Sequence, residues 1–254
     1  MLRGTFETGG WRVETWEQAR EPGVASRDGL LVDARERGLR LAVVDGVTPT
    51  DATPAEAGVD GAVCAAALVR AALLARAGLQ DCALAANAAL RARGAVPTPR
   101  DRPQAAFAAA DVSGRGAELL RGGDCEAWVE RDGRWERIFP QVIDTAAERA
   151  RMEAWTRAHP GRPFLEYDRA RPEGDDVWTT SALGRLPRPL LQSAAIASCS
   201  SLVLATDGAR LSEAALDALP AWLERIGEHQ RRRPASAWEG GADDVAVLRA
   251  RRRP

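Results

Sequence analysis

A short apolar run that stops on an acid and a glycine constrains this chain more than any other feature. Leu41-Ala-Val-Val-Asp-Gly46 is too short and too rich in aliphatic and β-branched residues for a helix, so it reads as a buried strand ending at Asp45 and Gly46. Leu202-Val-Leu-Ala-Thr-Asp-Gly208 repeats the pattern and stops at Asp207 and Gly208. A third element reverses it: Gly241-Ala-Asp243-Asp244 runs into Val245-Ala-Val-Leu248, placing adjacent carboxylates where a strand begins. If these ends meet at one edge of a sheet, their oxygens repel one another unless a cation lies among them, and hard divalent ions take oxygen ligands.

Periodicity supplies the frame around those strands. A strand is predicted over Trp11 to Trp16, and Gly29 to Val32 pairs with Leu39 to Asp45 as a hairpin through Arg35 to Gly38. Two helices follow: Ala62 to Arg76, and Leu79 to Arg93 with Asp81 in its first turn and Gly94 at its end. Gln104 to Ala110, Ala117 to Arg121, Asp124 to Arg131 and Arg134 to Ile138 read as successive strands, the last two joined by the turn pair Asp132-Gly133. Asp144 to His159 reads as a helix, Ser201 to Thr206 as a strand, Ser212 to Glu228 as a helix capped by Ser212, and Asp244 to Ala250 as the closing strand. Strands and helices come in blocks, which predicts an α+β fold of mostly antiparallel sheets covered by helices.

Composition is consistent with one domain over residues 1–254, since no long Pro/Gly/Ser-rich linker divides the chain. Lys plus Arg number 35 against 36 for Asp plus Glu, so no broad field draws the chain to nucleic acid or membrane. Every one of those basic residues is arginine; Schiff-base chemistry and a Walker lysine are excluded, while guanidinium groups for phosphate oxygens abound. There is neither a long apolar span nor a signal-peptide pattern, so the expected location is cytoplasmic. Cys64, Cys82, Cys125 and Cys199 lack C-x-x-C spacing and read as reduced core residues.

Six motifs now stand in a fixed order: Ser26-Arg-Asp28 before a strand, Val43-Val-Asp-Gly46, Gly123-Asp124, Thr180-Ser-Ala-Leu-Gly184, Ala205-Thr-Asp-Gly208 and Asp243-Asp244-Val245. In order and spacing they resemble the PPM family of metal-dependent protein phosphatases, the protein phosphatase 2C type. The resemblance implies a four-layer α-β-β-α sandwich. It implies hydrolysis of phosphate monoesters, most simply phosphoserine or phosphothreonine in a phosphoprotein substrate, by water activated between two Mg or Mn ions. Carried over by position, Asp45 would bridge both ions, the Gly46 carbonyl would bind one, Asp207 and Asp243 would complete the other, and Asp28 would hold water in an outer shell. The alternative is a catalytically weak or inactive PPM-like regulatory or binding module.

Departures from the family pattern bear on that choice. Val47-Thr-Pro-Thr50 follows the first Asp-Gly where relatives often carry glycines and a histidine, and Gly23 and Val24 stand near the place of a phosphate-binding arginine, leaving Arg27 or Arg20 as substitutes. A third, weak ion would fall to Asp101, because the acidic position four residues after Asp207 is Leu211. Residues 139 to 177 are the expected flap or insertion shaping substrate choice. The substrate itself, the oligomeric state and any regulatory partner are not written in these motifs.

Two decoys fit C-x5-R, the phosphate loop of cysteine phosphatases: Cys125 to Arg131 and Cys64 to Arg70. Such a loop needs small residues that expose backbone N–H groups, whereas the first alternates like a strand and the second reads as helix. His159 and His229 lie far from the motifs and read as surface residues.

Overall fold

The computed structural model describes residues 1–19, 23–36, 38–47, 60–93, 101–114, 116–140, 145–160, 181–231 and 244–253. Its strands are β1 (Leu2–Thr8), β2 (Trp11–Gln18), β3 (Asp28–Arg35), β4 (Gly38–Gly46), β5 (Ala105–Ser113), β6 (Gly116–Gly122), β7 (Glu126–Arg131), β8 (Arg134–Arg137), β9 (Gln192–Ile196), β10 (Ser201–Ala205) and β11 (Val245–Arg252). The helices are α1 (Gly61–Leu73), α2 (Leu79–Arg91), α3 (Thr145–Ala158), α4 (Glu213–Asp217) and α5 (Leu219–Arg231).

Two antiparallel sheets result, a six-stranded one in the order β1-β2-β11-β10-β7-β8 and a five-stranded one in the order β3-β4-β5-β6-β9. Three apolar layers hold four structural layers together. Val13, Leu41, Val43, Leu119, Val129, Leu202 and Leu248 fill the space between the sheets. Ala42, Val44, Val69, Leu73, Leu90 and Phe107 join the five-stranded sheet to α1 and α2, and Trp16, Trp128, Val203, Leu216, Leu223 and Val247 join the six-stranded sheet to α4 and α5. The expected α-β-β-α sandwich is what the chain forms. β4 explains its own sequence: Leu39, Leu41 and Val43 face the other sheet while Ala42 and Val44 face the helices, so both sides of the strand must be apolar.

Local chemistry sets the boundaries. Asp60 caps α1 by accepting the Ala62 N–H at 2.7 Å. At the other end of that helix, buried Arg40 donates to the carbonyls of Leu73, Ala75 and Ala77 and forms a two-pronged pair with Asp111. Arg35 donates to Leu73, Leu74 and Ala75. These donors close α1 at Leu73, short of the Arg76 expected from composition. The hairpin at Asp132-Gly133 has both residues at positive φ, 50° and 74°, as the sequence predicts.

The structure departs from the sequence reading in three elements. β1 and β9, both at sheet edges, carry no strong apolar alternation. The helix expected over 212–228 is broken at Ala218 (φ −118°, ψ 36°), because Pro220 cannot donate to Leu216 and its ring would collide with that carbonyl. Phe139, the first residue of the expected insertion, is buried in the core between the sheets; residues 141–144 and 161–180 lie outside the described residues. No helix among the described residues is long and apolar enough to cross a membrane.

Candidate active site

Register alone brings the acidic motifs together. In the five-stranded sheet Asp28 and Asp45 are direct cross-strand partners at the open end of the β3–β4 hairpin. In the six-stranded sheet the β10 ladder ends with Ala205 opposite Glu126 of β7 and Val247 of β11. Asp207 opens a short 3-10 turn two residues beyond that end of β10, and Asp124 stands two residues ahead of β7, so both acids leave the ladder at the same end. The two sheets are tied at this end by buried side chains. Thr206 Oγ1 donates to Asp28 Oδ2 at 2.6 Å and accepts the Ala246 N–H at 3.0 Å, while the Arg27 N–H donates to Asp244 Oδ2 at 2.9 Å. Asp28, Thr206 and Asp244 are 5%, 1% and 3% exposed, so these links lie within the protein rather than at its surface.

Two glycines permit the close approach. At Gly46 a Cβ would stand 2.3 Å from the Ala62 carbonyl oxygen and 2.7 Å from that of Arg27, whose oxygen accepts the Gly46 N–H at 3.0 Å. At Gly123 (φ +85°) a Cβ would fall 2.4 Å from the Cβ of Ala106, the cross-strand partner of Asp45. Gly123 thereby lets the Asp124 turn lie against β5 beside Asp45, and its N–H donates to Ser181 Oγ at 3.1 Å. The motif ending at Gly184 has a structural part here: Leu183 bridges to Ala105, and the Gly184 N–H donates to Asn87 Oδ1 at 2.8 Å. Thr180 lies outside the described residues.

The electrostatics report the same convergence. The Cys125 thiol, fully buried, is pushed well above its usual range by burial first and then by Asp45, Asp124, Asp28 and Asp207. Carboxylates from four separate segments thus act on one buried thiol. Asp207 reaches solvent on one side, yet desolvation by the surrounding protein, and next the charge of Asp124, raise its carboxyl to about 7; the Gly208 N–H and Arg210 oppose the rise. A site made of hard oxygen donors that cost free energy to ionise together suits Mg or Mn. Among the described residues no three His, Cys, Asp or Glu side chains are gathered tightly enough to form a metal cage by themselves, and Asp243 lies outside those residues.

The other expected site residues are placed as follows. Arg27 is closed onto Asp60, Nη2 to Oδ2 at 2.6 Å and Nε at 3.1 Å. Burial works to raise the Asp60 carboxyl, but Arg27 and the Ala62 N–H outweigh it and the net shift is downward. Arg20 lies outside the described residues. Asp101 is 2% exposed, just ahead of β5, whereas the carboxylates acting most strongly on Asp207 are Asp124 and then Glu126. Asp124 is therefore the acidic residue that sequence reasoning did not assign to the site, although its Gly123-Asp124 motif was visible. Both decoy cysteines are unsuited to nucleophilic attack: burial, and next the nearby carboxylates, hold the Cys125 thiol well above its usual range, and burial and Asp60 raise the Cys64 thiol. His159 and His229 are exposed, as expected.

Beside the site, Arg121 is 1% exposed and its guanidinium is held by Gln192 Oε1 and by the Pro140 carbonyl at 2.8 Å, 4.9 Å from the centre of the Phe139 ring. Burial pushes it down to about 10. One cation thus gathers β6, the residues after β8 and the start of β9. A cavity of about 700 Å³ lies elsewhere, at the Gly38 end of β4, lined by Arg35, Arg40, Asp111 and Glu118 among others. Its buried arginine is already committed to Asp111 and the end of α1.

No family model matches the sequence, and no curated protein matches it. Solved structures do. PppA, a key regulatory component of T6SS in Pseudomonas aeruginosa, superposes with a TM-score of 0.62 at 18% identity over 95% of this chain and 97% of that one. The catalytic domain of the serine/threonine protein phosphatase PstP in complex with 2 manganese ions gives a TM-score of 0.56 at 20% identity, over 95% and 97%. RsbX in complex with magnesium gives 0.59 at 11% identity, over 98% and 99%. Likeness at these identities establishes the fold, which is that of the PPM-type serine/threonine phosphatases.

Proposed function

We propose that this chain is a metal-dependent hydrolase of phosphate monoesters, acting on phosphoserine or phosphothreonine in a protein substrate with two Mg or Mn ions. The observation that carries the reading is the convergence of Asp28, Asp45, Asp124 and Asp207 at the shared end of both sheets. Asp45 would hold both ions, the Gly46 carbonyl one of them, and Asp207 with Asp243 the other. When bound, such ions acidify water and neutralise charge gathering on the phosphoryl group. Asp28, fixed by the Thr206 hydroxyl, would accept a hydrogen bond from attacking water and orient it. Asp124 would raise the negative potential at Asp207 and so favour cation capture. The solved structures with manganese and magnesium support metal dependence.

One observation favours the second reading, a PPM-like module with weak or no catalysis: the Arg27 guanidinium is committed to Asp60 rather than open to a phosphate. Hydrolysis of p-nitrophenyl phosphate and a phosphopeptide panel, with Mn, with Mg and with chelator, separates the two. Turnover is expected only with metal and is expected to fall by orders of magnitude in Asp45→Ala, Asp207→Ala and Asp243→Ala, since each removes charge stabilisation at the reacting centre. Asp101→Ala is expected to matter far less than Asp45→Ala. Folded wild-type protein that binds Mn without turning over either substrate would establish the second reading.

A further inference from the structure

β1 is an edge strand whose far side is paired with nothing among the described residues. Its seven residues run in unbroken register with β2, from Leu2 opposite Glu17 to Thr8 opposite Trp11. Three usual protections of an edge are missing, since the strand has no bulge, no proline and no inward-pointing charge; its two charges, Arg3 and Glu7, are of opposite sign. Leu2 is 76% exposed and Phe6 48%, both on the face turned toward the other sheet but beyond its cover. Arg3 and Glu7 lie on the opposite face with about half of each side chain exposed, 48% and 53%.

The order of these residues is self-complementary. A two-fold axis perpendicular to the sheet preserves its faces, so two copies of β1 can meet antiparallel only in registers that keep like faces together. Centring the axis on Thr5 puts Arg3 opposite Glu7 of the second copy, twice, and Gly4 opposite Phe6 of the second copy, twice. Shifting by two residues in either direction sets Arg3 or Glu7 opposite Thr5 and loses both charge pairs. The Phe6 ring folds over Gly4 of its own strand, 3.1 Å from where a Cβ would be, so across the two-fold axis each Gly4 and its covering ring would lie beside the other copy's ring as an apolar contact. The charge pairs also extend rows that exist within each chain. Arg3 is bound to Glu224 at 2.6 Å and Glu7 to Arg253 at 3.1 Å, so the interface would read Glu224, Arg3, Glu7, Arg253 with alternating sign.

From this geometry we infer that β1 is a homodimerisation edge, two copies joining antiparallel about Thr5 into one continuous sheet. Backbone pairing and burial of Leu2 and Phe6 supply the affinity; the charges choose the register and the partner. Sedimentation velocity of the full chain over a micromolar concentration series tests it. Wild type is expected to dimerise. Arg3→Glu and Glu7→Arg, taken singly, set like charges opposite each other twice and are expected to weaken dimerisation by at least about tenfold. An equimolar mixture of the two singles regains both charge pairs, as does the double variant, although the double leaves the internal pairs with Glu224 and Arg253 reversed. Both are expected to return to dimers, which a merely structural role for these residues would not produce. A wild type that stays monomeric at high micromolar concentration, singles that associate as wild type does, or a mixture that fails to recover would each overturn the inference.

Discussion

The hydroxyl of Thr206 is the most economical place to test how the site is held. It gives a charge-assisted hydrogen bond to Asp28 and receives the Ala246 N–H, so one oxygen ties together the residue after β10, the first residue of β3 and the second of β11. Thr206→Val preserves shape and removes both bonds. Losing a bond to a charged group costs about 1.5–3 kcal/mol and losing a neutral one about 0.5–1.5, so the sum is about 2–4.5 kcal/mol. No cavity is made, so no packing loss adds to it. Thr206→Ser keeps the oxygen and gives up one buried methyl, about 1 kcal/mol. Urea unfolding of metal-free protein near neutral pH measures all three chains, and p-nitrophenyl phosphate turnover, on the proposed function, follows the orientation of Asp28. The valine variant is expected to lose more than the serine variant in both assays. Equal loss in the two, or a valine variant as stable as wild type, would refute the view that this oxygen joins the sheets.

Three further outcomes follow from the same geometry. Because the Asp207 carboxyl sits at about 7 in the folded chain, above its ordinary 3.8, the metal-free protein holds a proton there that the unfolded chain has released. Stability from this group is complete below about pH 4 and is lost as pH rises toward 7, and Mn affinity by calorimetry should strengthen over the same rise, with protons released on binding; affinity independent of pH would contradict it. Cys125→Ser is expected to keep turnover within about tenfold while losing about 1–3 kcal/mol to a buried hydroxyl, because burial and the nearby carboxylates push the thiol it replaces well above its usual range; a far larger loss of turnover in a folded variant would restore the cysteine mechanism. Arg40→Met should cost about 3–5 kcal/mol by stranding Asp111 and the carbonyls at the end of α1, with Arg40→Lys only partly restoring it, read by thermal unfolding.

What the sequence made legible was whatever local chemistry decides. The run from Leu39 to Asp45 had to be a central strand because both its faces are apolar, and Asp132-Gly133 had to turn because both residues need positive φ. β1 and β9 escaped notice because edge strands bury little and so carry little pattern. Pro220 was readable as a helix breaker, but the apolar spacing on both sides of it argued for continuity. Within the site, Asp28 and Asp45 could be paired from a single hairpin. The approach of Asp124 to Asp207 could not, because those residues are 83 positions apart and meet only through the β7–β10 ladder. Nor does sequence reveal that Arg27, a natural candidate for phosphate, is already occupied by the cap of α1.

Arg121 has a consequence for how such a chain can change. By holding the Pro140 carbonyl and Gln192 with one buried cation, it pins the two ends of the stretch from 141 to 191 to the body of the fold. The span between those anchors is then set by β6 and not by what lies between them. Doubling the length of a tethered loop raises its closure cost by only about 0.6 kcal/mol. Descendants that keep Arg121, Phe139 and Gln192, together with Ser181, Leu183 and Gly184 that seat the Gly123 turn and β5, can therefore exchange residues 141–180 and acquire new recognition beside an unaltered set of carboxylates. That part of the sequence is a cassette and the arginine its clasp.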